Sequence, residues 1–278
     1  MINQTTQPAT PVQHFVPLPS LPLDQILCGD NCEVMRTLPS ESIDLVVTSP
    51  PYDDLRAYGG HGWDFYGVAW NLKRLLKPGG VIVWNVAHST VDGSETLSSF
   101  EQAKHFKTMG LKIHDTMIWK KPSFTPGDGK YRYHDCFEYV FIISMGTPKS
   151  INLIRDVPQT CAGSVDLKNH DRRNGKSRGG ELKSEPYVRP EFGYRTNVWE
   201  ISRDVAINRD HEAPFPEALA RDHILSWSNE GDIVLDPFSG SGTTAKMAKH
   251  NGRRFIGIEV NPEYVEISQQ RLAQGVLF

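Results

Sequence analysis

Cysteine, charge of one sign and long apolar runs are all scarce in this chain of 278 residues. Its four cysteines are scattered without CxxC or HxxxH spacing, which argues against a disulfide scaffold and predicts no metal site. We expect Cys28 and Cys32 to be small buried residues. Lys and Arg number 30 against 33 Asp and Glu, a net charge of -3, which excludes a uniformly basic protein that coats nucleic acid.

No apolar run is long enough to cross a membrane. The longest uncharged apolar stretch, residues 139–146, is far shorter than the ~20 residues that a spanning helix needs. The first 22 residues contain no Lys or Arg ahead of an apolar run, so no signal peptide is predicted. We therefore expect a protein that stays in a reducing cytoplasm.

Short apolar runs alternate with amphipathic stretches along most of the chain. Five prolines within residues 1–22 predict an extended arm, and the alternation begins at Leu23. Such an alternation is typical of an α/β fold with a largely parallel sheet. The predicted elements are a strand at 43–47, a helix at 65–76, a strand at 81–86 after a Gly-containing turn at 77–80, a hairpin of 111–119 with 137–144, a strand at 233–235, a helix at 243–250, a strand at 254–259, and a last helix capped by Asn261.

Residues 152–195 interrupt this pattern, because they are rich in Gly, Lys and Arg and have little apolar periodicity. We interpret them as an insert and not as a core element. Between positions 164 and 195, eight basic residues stand against five acidic ones, a local positive excess. The eight are Lys168, Arg172, Arg173, Lys176, Arg178, Lys183, Arg189 and Arg195. An earlier Gly- and Pro-containing loop is expected to extend the same basic face with Lys120, Lys121, Lys130 and Arg132.

The first chemically informative segment is residues 235–244, Leu-Asp-Pro-Phe-Ser-Gly-Ser-Gly-Thr-Thr, between a predicted strand and a predicted helix. A carboxylate at a strand end, followed by glycines and a helix N-terminus, forms a small-molecule pocket at the carboxyl edge of a sheet. Glu259 ends the next strand, where a carboxylate can accept from both ribose hydroxyls of a nucleoside. This spacing indicates a nucleoside cofactor. A P-loop and a dinucleotide site are disfavoured because their motifs are absent, and a tight turn without ligand is the remaining alternative.

The second segment is residues 48–52, Thr-Ser-Pro-Pro-Tyr, which follow the predicted strand 43–47 at the same kind of edge. Two prolines remove two N–H donors from the loop and leave carbonyl acceptors fixed in direction. Alone, such a turn is usually structural. Combined with the first segment, it predicts a loop that accepts hydrogen bonds from a ligand.

Together, the two segments resemble the amino-group DNA methyltransferases, which transfer a methyl group from S-adenosylmethionine to an exocyclic base nitrogen. The Ser-Pro-Pro-Tyr loop precedes the Asp-Pro-Phe-Ser-Gly-Ser-Gly-Thr-Thr loop, and this order is similar to that of the permuted beta subgroup. The resemblance includes residues 26–30, 76–80 and 211–216, and it covers roughly 24–148 and 197–272.

This resemblance implies a Rossmann-like class I methyltransferase fold: an α/β fold with a mostly parallel sheet, one antiparallel strand and a circularly permuted motif order. The catalytic domain would span residues 23–278 after the arm, with 152–195 as the target-recognition insert. Its eight basic residues would bind double-stranded DNA, and one or two arginines could read guanine edges.

The resemblance also implies roles for individual residues. Ser49 Oγ and the Pro50 carbonyl would accept the two hydrogens of the target amine, and Tyr52 would stack on the extruded base. The implied catalytic residues are Ser49, Pro50, Pro51 and Tyr52. The implied residues around S-adenosylmethionine are Asp30, Phe215, Asp236, Pro237, Phe238, Ser239, Gly240, Ser241, Gly242, Thr243 and Glu259.

The target base is less closely specified than the reaction. Ser49 stands where adenine-specific members usually carry Asp, so the resemblance favours N4 of cytosine, with N6 of adenine as the alternative. No proline precedes a cysteine, which disfavours methylation at carbon 5 of cytosine. RNA or protein as substrate, and a catalytically inactive DNA-binding or partner subunit, are rival interpretations. A homodimer and a cognate restriction endonuclease are candidate partners, and the cytoplasmic protein would work at the nucleoid.

Overall fold

One mixed sheet with helices on both faces organises the chain. The computed structural model describes residues 20–51, 63–125, 131–166, 187–202 and 216–274. The helices in these ranges are α1 (Asn31–Thr37), α2 (Phe65–Leu75), α3 (Ser98–Thr108), α4 (Glu217–Trp227), α5 (Thr243–His250) and α6 (Pro262–Ala273). The strands are β1 (Gln25–Cys28), β2 (Ile43–Thr48), β3 (Leu76–Val86), β4 (Thr90–Val91), β5 (Ser94–Glu95), β6 (Lys112–Thr125), β7 (Asp135–Ser144), β8 (Arg155–Pro158), β9 (Val165–Asp166), β10 (Tyr187–Val188), β11 (Phe192–Tyr194), β12 (Val198–Glu200), β13 (Ile233–Asp236) and β14 (Arg254–Glu259).

Eight of these described strands form the main sheet, in the order β1-β14-β13-β2-β3-β7-β6-β12. All neighbouring pairs from β1 to β3 are parallel, and β12 is parallel to β6. β7 is antiparallel to both of its neighbours, β3 and β6. The prediction of a mostly parallel sheet with one antiparallel strand is therefore confirmed. The order also inserts β13 and β14, from late in the chain, between β1 and β2.

Successive residues of the central strands face two separate apolar layers. Val46, Ile82 and Trp84 pack in the layer that contains residues of α1, α2 and α3. Leu45 and Val83 pack in the layer that contains residues of α4, α5 and α6. Parallel strands covered on both faces are apolar along their whole length, which explains the nearly continuous apolar run of β2.

The predicted strand–helix–strand unit and the predicted hairpin are both present. The predicted turn at 77–80 is wrong, because β3 begins at Leu76 and continues through it. Leu76 pairs with Ile43, and the register then shifts so that Leu45 pairs with Val81. Gly79 takes a φ of +79° within this irregularity, a region of backbone space that favours glycine. Gly79 therefore accommodates an irregularity within the strand.

The prediction that both N-terminal cysteines are buried is wrong for one of them. Cys32 on α1 is buried, whereas Cys28 is exposed. Cys28 ends β1, which is the outermost strand on its side of the described sheet. The end of an edge strand has a neighbouring strand on only one side, so its last side chain is more open to solvent.

The described parts of the insert pair with one another and not with the main sheet. β8 pairs with β11, and β9 pairs with β10, both antiparallel. The chain then returns to the main sheet through β12, beside β6. Residues 167–186 lie outside the described residues, so the centre of the predicted insert is not among them.

The predicted loop position is wrong for two of these lysines, and burial also removes Lys121 from the predicted basic face. Lys120 and Lys121 belong to β6 and not to a loop, because β6 continues beyond its apolar section. Lys121 is buried, and Lys120 forms an ion pair with Glu200 at 2.8 Å. Lys130 lies outside the described residues, and the Arg132 guanidinium donates to a backbone carbonyl.

The N-terminal arm is described only at its end. Residues 1–19 lie outside the described residues. Leu21 and Leu23 pack against the apolar layer that contains α1, so packing against the domain has begun by Leu21. Within the described ranges, every helix is too short or too polar to cross a bilayer.

Candidate active site

Polar residues stand at the carboxyl ends of four adjacent parallel strands. In sheet order, Asp30 follows β1, Glu259 ends β14, Asp236 ends β13 and Ser49 follows β2. Parallel strands present their carboxyl ends at one edge, and ligand sites of open α/β sheets lie outside that edge. The fold therefore brings both predicted motifs to one crevice, although 188 residues separate Thr48 from Asp236.

The Asp236 carboxylate is buried between β13 and β2. Its Oδ1 accepts hydrogen bonds from Thr48 Oγ1 at 2.7 Å and from the Phe238 N–H at 3.1 Å. Burial raises the pKa of Asp236 to about 6, and the charge of Glu259 adds to the rise, whereas hydrogen bonds from Thr48, Phe238 and Thr244 oppose it. A positively charged ligand would stabilise the ionised form of such a carboxylate.

Glu259 holds the glycine-rich loop in place with both of its oxygens. Oε2 accepts the Gly240 N–H at 2.8 Å, and Oε1 accepts the Asn261 N–H at 2.9 Å. Each carboxylate oxygen has two lone pairs, so these two bonds do not exhaust its capacity as an acceptor. Glu259 is half-buried, and it can therefore hold the loop and still accept from a ligand hydroxyl.

The loop leads directly into α5 and is supported by α6. Gly242, the residue before α5, has a φ of +80°, and a Cβ there would lie 2.8 Å from the Ser268 Cβ. Both the backbone conformation and the close approach of α6 therefore require glycine. Arg271 of α6 donates to the Ser241 carbonyl at 2.6 Å and to the Ser241 Oγ at 2.7 Å. These contacts with α6 hold the loop in its conformation.

Phe238 forms an aromatic wall beside this loop. Its ring lies edge-on to Trp63, with the ring centroids 5.0 Å apart and the planes at 82°. Trp63 in turn contacts Phe65 and Trp84, which connects the wall to the core.

Asp30 and Phe215 differ in how far the structure describes them. Asp30 Oδ1 accepts the Glu33 N–H at 2.9 Å, so this side chain caps the N-terminus of α1. Capping accounts for one carboxylate oxygen, and contact of Asp30 with the cofactor stays a prediction. Phe215 lies outside the described residues.

These side chains fit S-adenosylmethionine by their chemistry. Asp236 and Glu259 supply negative charge for a ligand that carries a sulfonium and an ammonium, and Glu259 can accept from ribose hydroxyls. Phe238 offers an apolar ring against which the ligand would lie.

Ser49 lies next to a row of buried polar side chains. Asn85 Nδ2 donates to Ser49 Oγ at 3.3 Å and to Glu138 Oε2 at 2.6 Å. Glu138 Oε1 pairs with Lys121 Nζ at 2.7 Å. Ser49 follows β2, and the other three residues come from β3, β7 and β6, which are neighbours in that order. The row therefore crosses four adjacent strands and ends at the predicted catalytic loop.

The remaining predicted site residues fall into two groups. Ser49, Pro50 and Pro51 and the loop from Asp236 to Thr243 are described, and they lie at the same sheet edge. Residues outside the described ranges are Tyr52, Phe215, Lys168, Arg172, Arg173, Lys176, Arg178 and Lys183.

The two described arginines of the basic set are Arg189 and Arg195. Arg195 forms ion pairs with Asp156 at 2.5 Å and with Asp222 at 2.7 Å, and its guanidinium lies 5.2 Å from the Trp199 ring. These contacts join the insert to α4. DNA binding by either arginine stays a prediction.

Several residues of the site are not found by sequence reasoning. Thr48, which donates to Asp236, belongs to the quoted motif but has no predicted role. Asn85 is the one polar residue in the apolar section 81–86 of β3, and Glu138 is the one charged residue in the section 137–143 of β7. Each interruption marks the residue as unusual, but it does not indicate contact with Ser49. Trp63 carries no recognisable signal, because its contact with Phe238 joins distant segments.

Comparison with known proteins agrees with this geometry. The family model of N6/N4 DNA methylases matches residues 43–270. The orphan methyltransferase M.BamHII of Bacillus amyloliquefaciens is 49% identical over 243 residues, which cover 85% of this chain and 91% of the relative. The chain therefore belongs to the DNA amino-methyltransferases, the N4-cytosine and N6-adenine family, as the resemblance predicted.

Solved structures support the fold and the cofactor. The cytosine-N4-specific PvuII DNA methyltransferase superimposes with a TM-score of 0.64 at 23% identity, covering 91% of this chain and 87% of its own. A putative DNA modification methylase of Thermus thermophilus, solved in complex with S-adenosylmethionine, superimposes with a TM-score of 0.57 at 27% identity, covering 90% and 94%. The class I methyltransferase fold is confirmed, and so is S-adenosylmethionine as the cofactor of this family.

Proposed function

We propose that this protein methylates the N4 amino group of cytosine in double-stranded DNA, at a base extruded into the crevice. The observation that carries the proposal is the meeting of the Ser49-Pro50 loop with Asp236 at one sheet edge. One motif would hold the methyl donor, and the other would hold the acceptor amine beside it.

The acceptor loop addresses the chemical difficulty of the reaction. An exocyclic amine is a weak nucleophile, because its lone pair is delocalised into the ring. If Ser49 Oγ and the Pro50 carbonyl accept its two hydrogens, the lone pair is turned out of the ring plane towards the methyl group. S-adenosylmethionine supplies that methyl group on a sulfonium. Tyr52 would stack on the base, which offsets part of the few kcal/mol that unstacking costs.

The choice of cytosine rests on Ser49. Adenine-specific members of the family usually carry Asp at this position, which favours cytosine here. Both bases present an amine with two hydrogens, so N6 of adenine is the alternative. The basic insert would bind the DNA backbone and supply sequence specificity. A homodimer and a cognate endonuclease stay predictions.

Product analysis tests the proposal directly. The protein is incubated with labelled S-adenosylmethionine and unmethylated duplex DNA, and the DNA is digested to nucleosides for mass spectrometry. N4-methylcytosine supports the proposal, and N6-methyladenine supports the alternative. Label in RNA or protein alone would contradict the DNA assignment. With active controls, absence of label from every substrate would favour an inactive binding subunit.

Two variants separate the proposed roles of the motifs. Asp236→Ala is expected to lose S-adenosylmethionine binding, because it removes the buried carboxylate. Tyr52→Ala is expected to keep cofactor affinity while methyl transfer or base capture falls. Isothermal titration calorimetry measures the affinity for S-adenosylmethionine, and single-turnover methylation measures the rate of methyl transfer. Unchanged cofactor affinity in Asp236→Ala would refute this division of roles.

A further inference from the structure

The row of buried polar side chains beside Ser49 contains an ion pair, and burying its two charges costs free energy. Lys121 and Glu138 side chains are each 7% exposed, with Nζ and Oε1 2.7 Å apart. Removing two charges from water is costly, and replacing such a pair by apolar residues is often neutral or stabilising. The burial of this pair is therefore weak evidence that it stabilises the fold.

The next residue along β6 provides a contrast. Lys120 pairs with Glu200 at 2.8 Å, but these side chains are 49% and 58% exposed. Lys120 follows the ordinary pattern of a surface ion pair. Lys121 has its side chain buried and pairs with Glu138, which contacts the side chain that reaches Ser49.

The hydrogen bonds along this row can run in one direction only, from each donor to a defined acceptor. An ammonium group only donates hydrogen bonds and a carboxylate only accepts them, so the Lys121–Glu138 pair leaves Glu138 Oε2 as an acceptor towards Asn85. Asn85 must then present its nitrogen to Glu138, at 2.6 Å, and cannot present its carbonyl oxygen. The same nitrogen has a second hydrogen, which points to Ser49 Oγ at 3.3 Å.

This direction has a consequence for the Ser49 hydroxyl. Because Ser49 Oγ accepts from Asn85, its own hydrogen is directed elsewhere and its lone pairs are oriented by a buried donor. Asn85 is fully buried, so water does not compete for this donor. A hydroxyl can rotate about its C–O bond, and the Asn85 donor disfavours the positions that would point the Ser49 hydrogen at Asn85. A lone pair therefore faces Asn85 at the residue that would accept from the substrate amine.

We propose that Lys121 and Glu138 are positioning residues, which act through Asn85 to orient the Ser49 hydroxyl for the target amine. This inference rests on the proposed function, because it assigns Ser49 to the amine. It adds two residues that lie outside both sequence motifs. They touch neither cofactor nor base in this role.

The test compares methyl transfer and cofactor binding in matched variants. Glu138→Gln, in which Lys121 claims the remaining acceptor oxygen, and the charge-neutral double variant Lys121→Met/Glu138→Met, which removes the acceptor, are compared with controls. The controls are Lys120→Met and Glu200→Gln, which remove the exposed pair. We expect kcat to fall about tenfold or more in the buried-pair variants. Cofactor Kd is expected to stay within about twofold, and the control variants to retain the wild-type kcat. The double variant leaves no unpaired buried charge, so it keeps the test valid if a single variant unfolds.

A double-mutant cycle distinguishes positioning from a general loss of structure. If Glu138 acts through Asn85, adding Glu138→Gln to Asn85→Ala causes little further loss of kcat. Losses that multiply, or wild-type kcat in the neutral double variant, overturn the inference while leaving DNA methylation intact. A wild-type protein that methylates no DNA overturns the proposed function and the inference together.

Discussion

At the scale of single residues, Asp236 is a carboxylate whose environment differs sharply from water. Burial raises its pKa to about 6, and Thr48 and the Phe238 N–H are hydrogen-bond donors that partly compensate. A raised carboxyl pKa means that the folded protein binds the proton more tightly than the unfolded chain. This contribution to stability is fully present at low pH and is lost as the pH rises from the usual carboxyl pKa of 3.8 through about 6.

Asp236→Asn should therefore keep the stability of the folded protein while it weakens binding of S-adenosylmethionine. The amide oxygen can still accept from Thr48 and Phe238, and no buried charge remains. We expect the cofactor-free variant to match or exceed the wild-type Tm at pH 7.5, with its advantage over wild type growing from pH 5 to pH 7.5. Differential scanning fluorimetry measures the Tm of the variant and of the wild type at each pH. A variant that is clearly less stable than wild type at pH 7.5 would contradict the argument.

The same titration predicts pH-dependent cofactor binding. With a pKa of about 6, roughly a tenth of the Asp236 carboxylate is ionised at pH 5, against nearly all of it at pH 7.5. We expect the Kd for S-adenosylmethionine to be about tenfold higher at pH 5. Asp236→Asn should bind weakly at both values, without this pH dependence. Equal wild-type affinity at the two pH values would count against the role of the carboxylate.

At the scale of elements, Arg195 joins the insert to the helical layer. Its guanidinium pairs with Asp156 on β8 and with Asp222 on α4, and it lies over Trp199 on β12. The guanidinium holds the pKa of the Asp156 carboxyl below its usual range. One planar group thus connects three elements, a geometry that the single ammonium of lysine cannot reproduce.

We expect Arg195→Met to loosen the insert without affecting the cofactor site. Asp222 is almost fully buried and keeps Arg221 as a second partner, so loss of Arg195 should reduce the unfolding free energy by only about 1 kcal/mol. Limited proteolysis should cut the insert faster, whereas cofactor Kd stays at the wild-type value. Arg155→Met, which removes a guanidinium stacked on Tyr194, is the control. Equal stability of the two variants would refute the connecting role.

At the scale of the whole molecule, the near balance of charge conceals its distribution along the chain. Eight basic residues against five acidic ones lie between positions 164 and 195, in a chain whose net charge is -3. Asp236 and Glu259 meanwhile stand together at the sheet edge. The basic excess and the two acidic site residues are therefore separate along the sequence, which suits a protein that would bind both an anionic polymer and a cationic cofactor.

DNA binding should accordingly weaken with salt, and the insert should set the slope. Changing Arg172, Arg173, Lys176 and Arg178 to Ala is expected to reduce the slope of log K against log salt by about 0.9 for each phosphate that is no longer neutralised. Changing Lys104, Lys107 and Lys112, which are exposed around α3, is the control and should leave the slope unchanged. Fluorescence anisotropy with duplex DNA at several salt concentrations measures the slope for each variant. An unchanged slope in the insert variant would exclude the insert as the main DNA-binding surface.

Local patterns are sufficient for many of the core elements and for the two loops, although α1, α3 and β12 are not predicted from them. The apolar run of β2 and the helical spacing of α2 are short-range features, and the strand-end motifs at Ser49 and Asp236 follow directly from the sequence. The extended backbone through the two glycines of β3 and the exposure of Cys28 are not predicted correctly. Both depend on which strand lies alongside, and sequence spacing does not contain that information.

The contacts that complete the site depend on the tertiary structure. Thr48 reaches Asp236 only because β13 inserts beside β2, and Lys121, Glu138 and Asn85 form a row only because β6, β7 and β3 are adjacent. Strand order results from burying both faces of the sheet at once, which is a property of the whole chain. The nature of the cofactor could thus be predicted from local sequence, whereas the support of the Ser49 hydroxyl could be identified only in the folded protein.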